Sequence, residues 1–129
     1  MTRNQKIGII GSGFIVNDCH LPAYRKLGLN ITAIASRTNA NACKTAKLHN
    51  IPKVHANIEA LLDDSSIEIL DIAVPPQHQP DLILAACQRG TVKGILAQKP
   101  LALDYATARN LVDTCKAKGI MLAVNQNMR

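Results

Sequence analysis

The sequence predicts a doubly wound α/β fold: one parallel six-stranded sheet, strand order 3-2-1-4-5-6, in a single domain with helices on both faces. Three observations carry this. Short apolar runs alternate with helix-like stretches from one end of the chain to the other. The first run ends in Gly11-Ser12-Gly13, a glycine turn that opens a helix. Finally, 47% of the 129 residues are hydrophobic but only 2% are aromatic, with no Trp. A core of Ile, Leu, Val and Ala is what a sheet buried on both faces requires, and this length supports one domain of ordinary size.

The first strand spans 6–10, too short for a buried helix and rich in β-branched Ile. Gly11 lets the chain turn where a Cβ would clash, and Gly13 lets the backbone approach a bulky anion. A helix follows over 14–27, kinked or split at Pro22 and stopped by Gly28. The second strand covers 30–35, and Thr38 or Asn39 caps a helix over 40–48. Pro52 closes that unit. Residues 53–55 make a short third strand, Asn57 caps a brief helix over 58–62, and 63–66 form a polar loop.

The fourth strand, 69–74, is stopped by Pro75-Pro76. Pro80 suits a first helical position, and the helix over 81–89 ends at Gly90. The fifth strand is 94–97. Asp104 caps the longest helix, 105–118, whose Ala108, Leu111, Val112 and Cys115 repeat at helical spacing before Gly119. The sixth strand is 120–124. Sheets of this order bind ligands beyond the carboxyl ends of their strands, at the switch between strands 1 and 4. The informative residues are those just after each strand.

After strand 1, the unpaired N–H groups of the new helix make a pyrophosphate the natural guest. Val16 stands where that glycine pattern has a third small residue. After strand 2 comes Ser36-Arg37-Thr38, with no Asp or Glu to hold an NAD ribose. An arginine flanked by two hydroxyls suits a 2′-phosphate, which favours NADP(H) over NAD(H). Arg37 could instead stack on the adenine or serve as a solvated loop cation. After strand 4, Pro75 walls the crevice, while His78 either touches a ribose or the nicotinamide end or simply starts a helix. After strand 5 come Gln98-Lys99-Pro100. A lysine there points into the crevice, where it can orient or polarise a substrate oxygen or lend a proton.

Other chemistries find little support. The net charge is +6, but only Arg25-Lys26 are adjacent, and Phe14, Tyr24 and Tyr105 are too few for a stacking platform, so nucleic acid is not an expected partner. No apolar run approaches the ~20 residues needed to span a bilayer, and the start lacks a secretory apolar region, so neither membrane nor export is expected and the location reads as cytoplasmic. Cys19, Cys43, Cys87 and Cys115 include no C-x-x-C, which leaves no metal site and predicts small buried hydrophobes in a reducing compartment. His20, His49 and His55 have no partner nearby in the sequence.

Taken together, Ile9-Ile10-Gly11-Ser12-Gly13-Phe14-Ile15, His20-Leu21-Pro22-Ala23, Ala35-Ser36-Arg37, Pro75-Pro76-Gln77-His78 and Gln98-Lys99-Pro100-Leu101-Ala102 resemble the Gfo/Idh/MocA family of NAD(P)-dependent oxidoreductases. The resemblance implies a Rossmann domain over 1–129 whose cofactor is lined by Gly11, Gly13, Phe14, Ile15, Ser36, Arg37, Thr38, Pro75, His78, Gln98 and Lys99. It makes Lys99 the catalytic lysine of this domain. Hydride would pass to or from a hydroxyl or carbonyl carbon of a sugar, polyol or related small molecule. The family's triplet is Glu-Lys-Pro, so Gln98 removes a carboxylate beside the lysine. A second domain, carrying the substrate pocket and the contacts of a homo-oligomer, would follow, and the domain alone would bind cofactor without turnover. The alternative, favoured by Gln98, is a non-catalytic NAD(P)-sensing module.

Overall fold

In the computed structural model, which describes residues 4–125, the apolar runs become six parallel strands: β1 (Lys6–Ile10), β2 (Asn30–Ala35), β3 (Lys53–Val54), β4 (Ile69–Ile72), β5 (Gly94–Gln98) and β6 (Met121–Asn125). Their order is β3-β2-β1-β4-β5-β6, as the sequence predicts. The helices between them are α1 (Leu21–Lys26), α2 (Asn39–His49), α3 (Ile58–Leu62), α4 (Gln79–Arg89) and α5 (Tyr105–Ala117). The expectations for residues 1–3 and 126–129 lie outside the described residues.

Successive side chains of a strand face opposite ways, and this divides the core in two. Ile7, Ile9 and Ile34 join Val16, Leu21, Ala42, Ala46 and Ile51 beneath α1 and α2. Ile10, Leu70, Ile72, Ile95 and Ala97 join Leu61, Ile83, Leu111 and Cys115 beneath α3, α4 and α5. The first face is covered less fully than predicted. On β6, Met121 and Ala123 are exposed there, beside an apolar groove of about 280 Å³.

The helix after β1 starts at Ile15 as a π-helical turn, Ile15–His20, and becomes α-helical at Leu21, one residue before Pro22. Pro22 has no N–H to give, so a change of hydrogen-bond pattern at this point is where the chain can absorb it. Val16 is fully buried within the wide turn. β4 is shorter than predicted, ending at Ile72. Pro80 is the second rather than the first residue of α4, because Gln79 begins the helix.

Two predicted caps form. The Asn57 Oδ1 accepts from the Ala60 N–H at 2.8 Å. The Asp104 carboxylate accepts from the N–H and hydroxyl of Thr107 at 2.7 and 2.9 Å, bonds that hold its pKa below the ordinary carboxylate value. Thr38 precedes α2 but makes no side-chain cap bond. The cysteine expectation holds for half the set. Cys87 and Cys115 are buried with sulfurs 3.6 Å apart, and burial pushes the Cys115 thiol up to about 12. Cys19 and Cys43 are exposed.

Candidate functional site

The order β2-β1-β4-β5 sets four loops side by side along one edge of the sheet. These carry every site residue read from the sequence: Gly11, Gly13, Phe14 and Ile15 after β1; Ser36, Arg37 and Thr38 after β2; Pro75 and His78 after β4; Gln98 and Lys99 at the end of β5. Three strand spacings, about 14 Å, separate β2 from β5. That span suits the length of an extended dinucleotide.

Gly11 sits at φ +122°, and a Cβ there would stand 2.3 Å from the Ala73 carbonyl oxygen. Its N–H donates to the Ala35 carbonyl at 2.9 Å, which ties the turn to the end of β2. Asn17 turns back onto the loop, its Nδ2 donating to the Ser12 and Gly13 carbonyls at 2.9 and 3.0 Å. In a trans peptide the C=O and the next N–H point oppositely. Holding those two carbonyls toward the helix therefore aims the N–H groups of Gly13 and Phe14 away from it. A Cβ on Gly13 would meet nothing within 4 Å. The turn thus offers aligned donors, open space and a helix start, which fits a pyrophosphate.

After β2 the buried Ser36 hydroxyl donates to the Thr38 carbonyl at 2.6 Å. This closes a tight turn with Arg37 exposed at its apex. Arg37 and His78 line one cavity of about 260 Å³, together with Ile58, Val74, Leu82 and Asp81. Apolar walls, a guanidinium and a carboxylate suit a flat heterocycle with exocyclic donors and an attached anion. Asp81 was not singled out in the sequence. At the other end of the crevice Lys99 is exposed, and its peptide bond to Pro100 is cis.

Two polar groups near this edge escaped the sequence reading. The first centres on Asp71, wholly buried on the β4 face that also carries Ile69. Its Oδ2 accepts from the Tyr24 hydroxyl at 2.6 Å and from the His20 Nδ1 at 2.7 Å, and burial, then the Asp71 charge, pushes the Tyr24 phenol well above its usual range. The Asn125 Nδ2 can only donate, so the His20 Nε2 accepts from it at 3.2 Å and Nδ1 carries the proton given to Asp71. The same Asn125 amide donates to the Gln98 Oε1 at 3.4 Å. His20 therefore has partners after all, 51 and 105 positions away, in a chain that reaches Lys99's neighbour. The second is Gln79, whose side chain binds the backbone around Lys99. The available signals were faint: an acid inside an apolar strand, and a glutamine at a helix start. His55 also finds a partner, Asp64 at 3.0 Å.

The family model described as oxidoreductase family, NAD-binding Rossmann fold (Gfo/Idh/MocA) matches residues 5–126. A trans-1,2-dihydrobenzene-1,2-diol dehydrogenase of Xenopus tropicalis is 34% identical over 116 residues, covering 89% of this chain and 33% of the relative. A D-xylose 1-dehydrogenase (NADP(+)) of Haloferax volcanii is 32% identical over 115 residues, covering 89% of this chain and 35% of the relative. The crystal structure of a 3-ketoreductase from Actinomadura kijaniata, in complex with NADP and TDP-benzene, superposes with a TM-score of 0.85 at 27% identity, covering 95% of this chain and 37% of that one. The chain spans about a third of the length of these proteins.

Proposed function

The chain belongs to the oxidoreductase family with the NAD-binding Rossmann fold, and on that premise we propose that it holds NADP(H) along the crevice and presents Lys99 to its substrate. The observation that carries this reading is the shared edge: the open glycine turn, the Arg37–His78 cavity and Lys99 follow neighbouring strands in the order a dinucleotide needs. The N–H groups of Gly13 and Phe14 hold the pyrophosphate, with Ile15 beginning the helix behind them. Arg37 pairs with the 2′-phosphate, helped by the Thr38 hydroxyl, while Ser36 closes the turn that presents them. Pro75 and His78 flank the adenosine side, and Gln98 and Lys99 lie at the nicotinamide end. Bound there, the nicotinamide supplies hydride chemistry. Lys99 donates a hydrogen bond from Nζ to a substrate hydroxyl or carbonyl oxygen, polarises it, and holds or returns its proton. A sugar, polyol or related diol is the substrate class, in keeping with relatives named for a xylose and a diol.

The absence of an acid after β2, together with an exposed arginine there, favours NADP(H) over NAD(H). Arg37→Ala is expected to weaken NADPH binding by about tenfold or more, the scale of a lost charge-assisted bond, while NADH affinity changes little. Calorimetric titration of the wild type and of Arg37→Ala with both cofactors checks this. Equal loss for the two cofactors would place Arg37 on the adenine instead.

A further inference from the structure

Gln79 is wholly buried, although its side chain ends in a polar amide. It is the first residue of α4, directly after His78. Every polar atom of its side chain is committed to one loop. Its Oε1 accepts from the Gln98 N–H at 2.7 Å. Its Nε2 donates to the carbonyls of Gln98 at 2.9 Å, Leu101 at 3.0 Å and Pro100 at 3.3 Å. Two hydrogens thus serve three acceptors, and the peptides they reach bracket Lys99 on both sides.

Gln98 is the last residue of β5, and between it and α5 the carbonyls of Pro100 and Leu101 belong to no strand or helix. A lysine side chain is a point charge on a flexible stem, and it is placed only as well as the backbone that carries it. We infer that Gln79 is the positioning residue for Lys99, fastening the loop after β5 to the start of α4 so that Lys99 and His78 keep a fixed relation across the crevice. The role rests on the reading of Lys99 given above. It differs from plain structural filling because all four of its side-chain bonds go to the segment that carries Lys99.

The test compares the wild-type chain with Gln79→Met, which keeps the bulk and removes all four bonds, and Gln79→Glu, which keeps the acceptor for the Gln98 N–H and removes the donors. Amide hydrogen exchange is read at Gln98. The chain's lysines are reductively methylated with ¹³C, and the Lys99 signal, assigned by its loss in Lys99→Arg, is followed on saturation with NADPH. The wild-type Lys99 signal is expected to shift with NADPH. In Gln79→Met the Gln98 N–H should exchange at least about tenfold faster, and the NADPH-induced Lys99 shift should fall by more than half. In Gln79→Glu the Gln98 N–H should stay protected while the Lys99 shift still falls.

A wild-type-sized Lys99 shift in both variants overturns the positioning role and leaves the reading of Lys99 standing. A wild-type Lys99 signal that ignores NADPH overturns that reading, and the positioning role with it. Failure of Gln79→Met to fold leaves the decision to Gln79→Glu, and failure of both makes Gln79 a structural residue and overturns the proposal.

Discussion

Replacing Gly11 with alanine is expected to cost about 4 kcal/mol of stability and to lower the melting temperature by roughly 15 °C. Two effects add. The backbone at φ +122° is one that a side-chain-bearing residue rarely adopts, and the new methyl would lie 2.3 Å from the Ala73 carbonyl oxygen and 3.1 Å from its carbon. Ala73 lies beside the end of β4 and donates its N–H to the Ile10 carbonyl at 2.8 Å. Relief of the clash would therefore pull apart the β1–β4 junction on which the crevice is built. Gly13→Ala is the matched comparison. Its methyl meets open space, so stability should change by less than about 1 kcal/mol. Thermal melts of the two variants side by side check the contrast, and equal melting temperatures would refute the turn geometry.

Asp71→Ala is expected to destabilise the chain by about 3 kcal/mol. The carboxylate is the partner of the buried His20 Nδ1 and of the half-buried Tyr24 hydroxyl, and each loses that bond when it goes. Asp71→Asn should cost less, because it retains an acceptor. A pH dependence follows from the same contacts. The Tyr24 phenol, ordinarily at 10.0, is pushed well above that in the fold, first by burial and then by the Asp71 charge. Above pH 10 the unfolded chain gives up a phenolic proton that the folded chain keeps. Stability contributed by the neutral phenol is therefore full below pH 10 and falls as pH rises beyond it, by up to about 1.4 kcal/mol per pH unit. Burial of the Cys115 thiol adds a slope of the same sign, so denaturant melts between pH 10 and 11 should show a steeper fall in the wild type than in Tyr24→Phe.

The order of the sheet was legible because each strand is a short apolar run bounded by glycine, proline or a capping residue. Asn57 and Asp104 cap their helices as read, since a cap is a contact three residues long. The four crevice loops were legible for the same reason: topology fixes the strand ends, and Gly11, Arg37 and Lys99 follow them directly. What sequence could not supply were contacts between distant segments. Asp71 reads as an interruption of an apolar strand until α1 brings His20 and Tyr24 over it. Gln79 went unremarked because its partners, Gln98, Pro100 and Leu101, lie 19 to 22 positions away. The exposure of Cys19 and Cys43 was missed because composition alone does not say which side of a helix faces water.

The most direct test of the account is calorimetric titration of the chain with NADPH and with NADH. Saturable heat with both, tighter for NADPH, is the expected result, and in Gly13→Ala the affinity for both should fall although the fold persists. Absence of binding by either cofactor to a chain shown to be folded would contradict the claim that this edge of the sheet is a dinucleotide cleft.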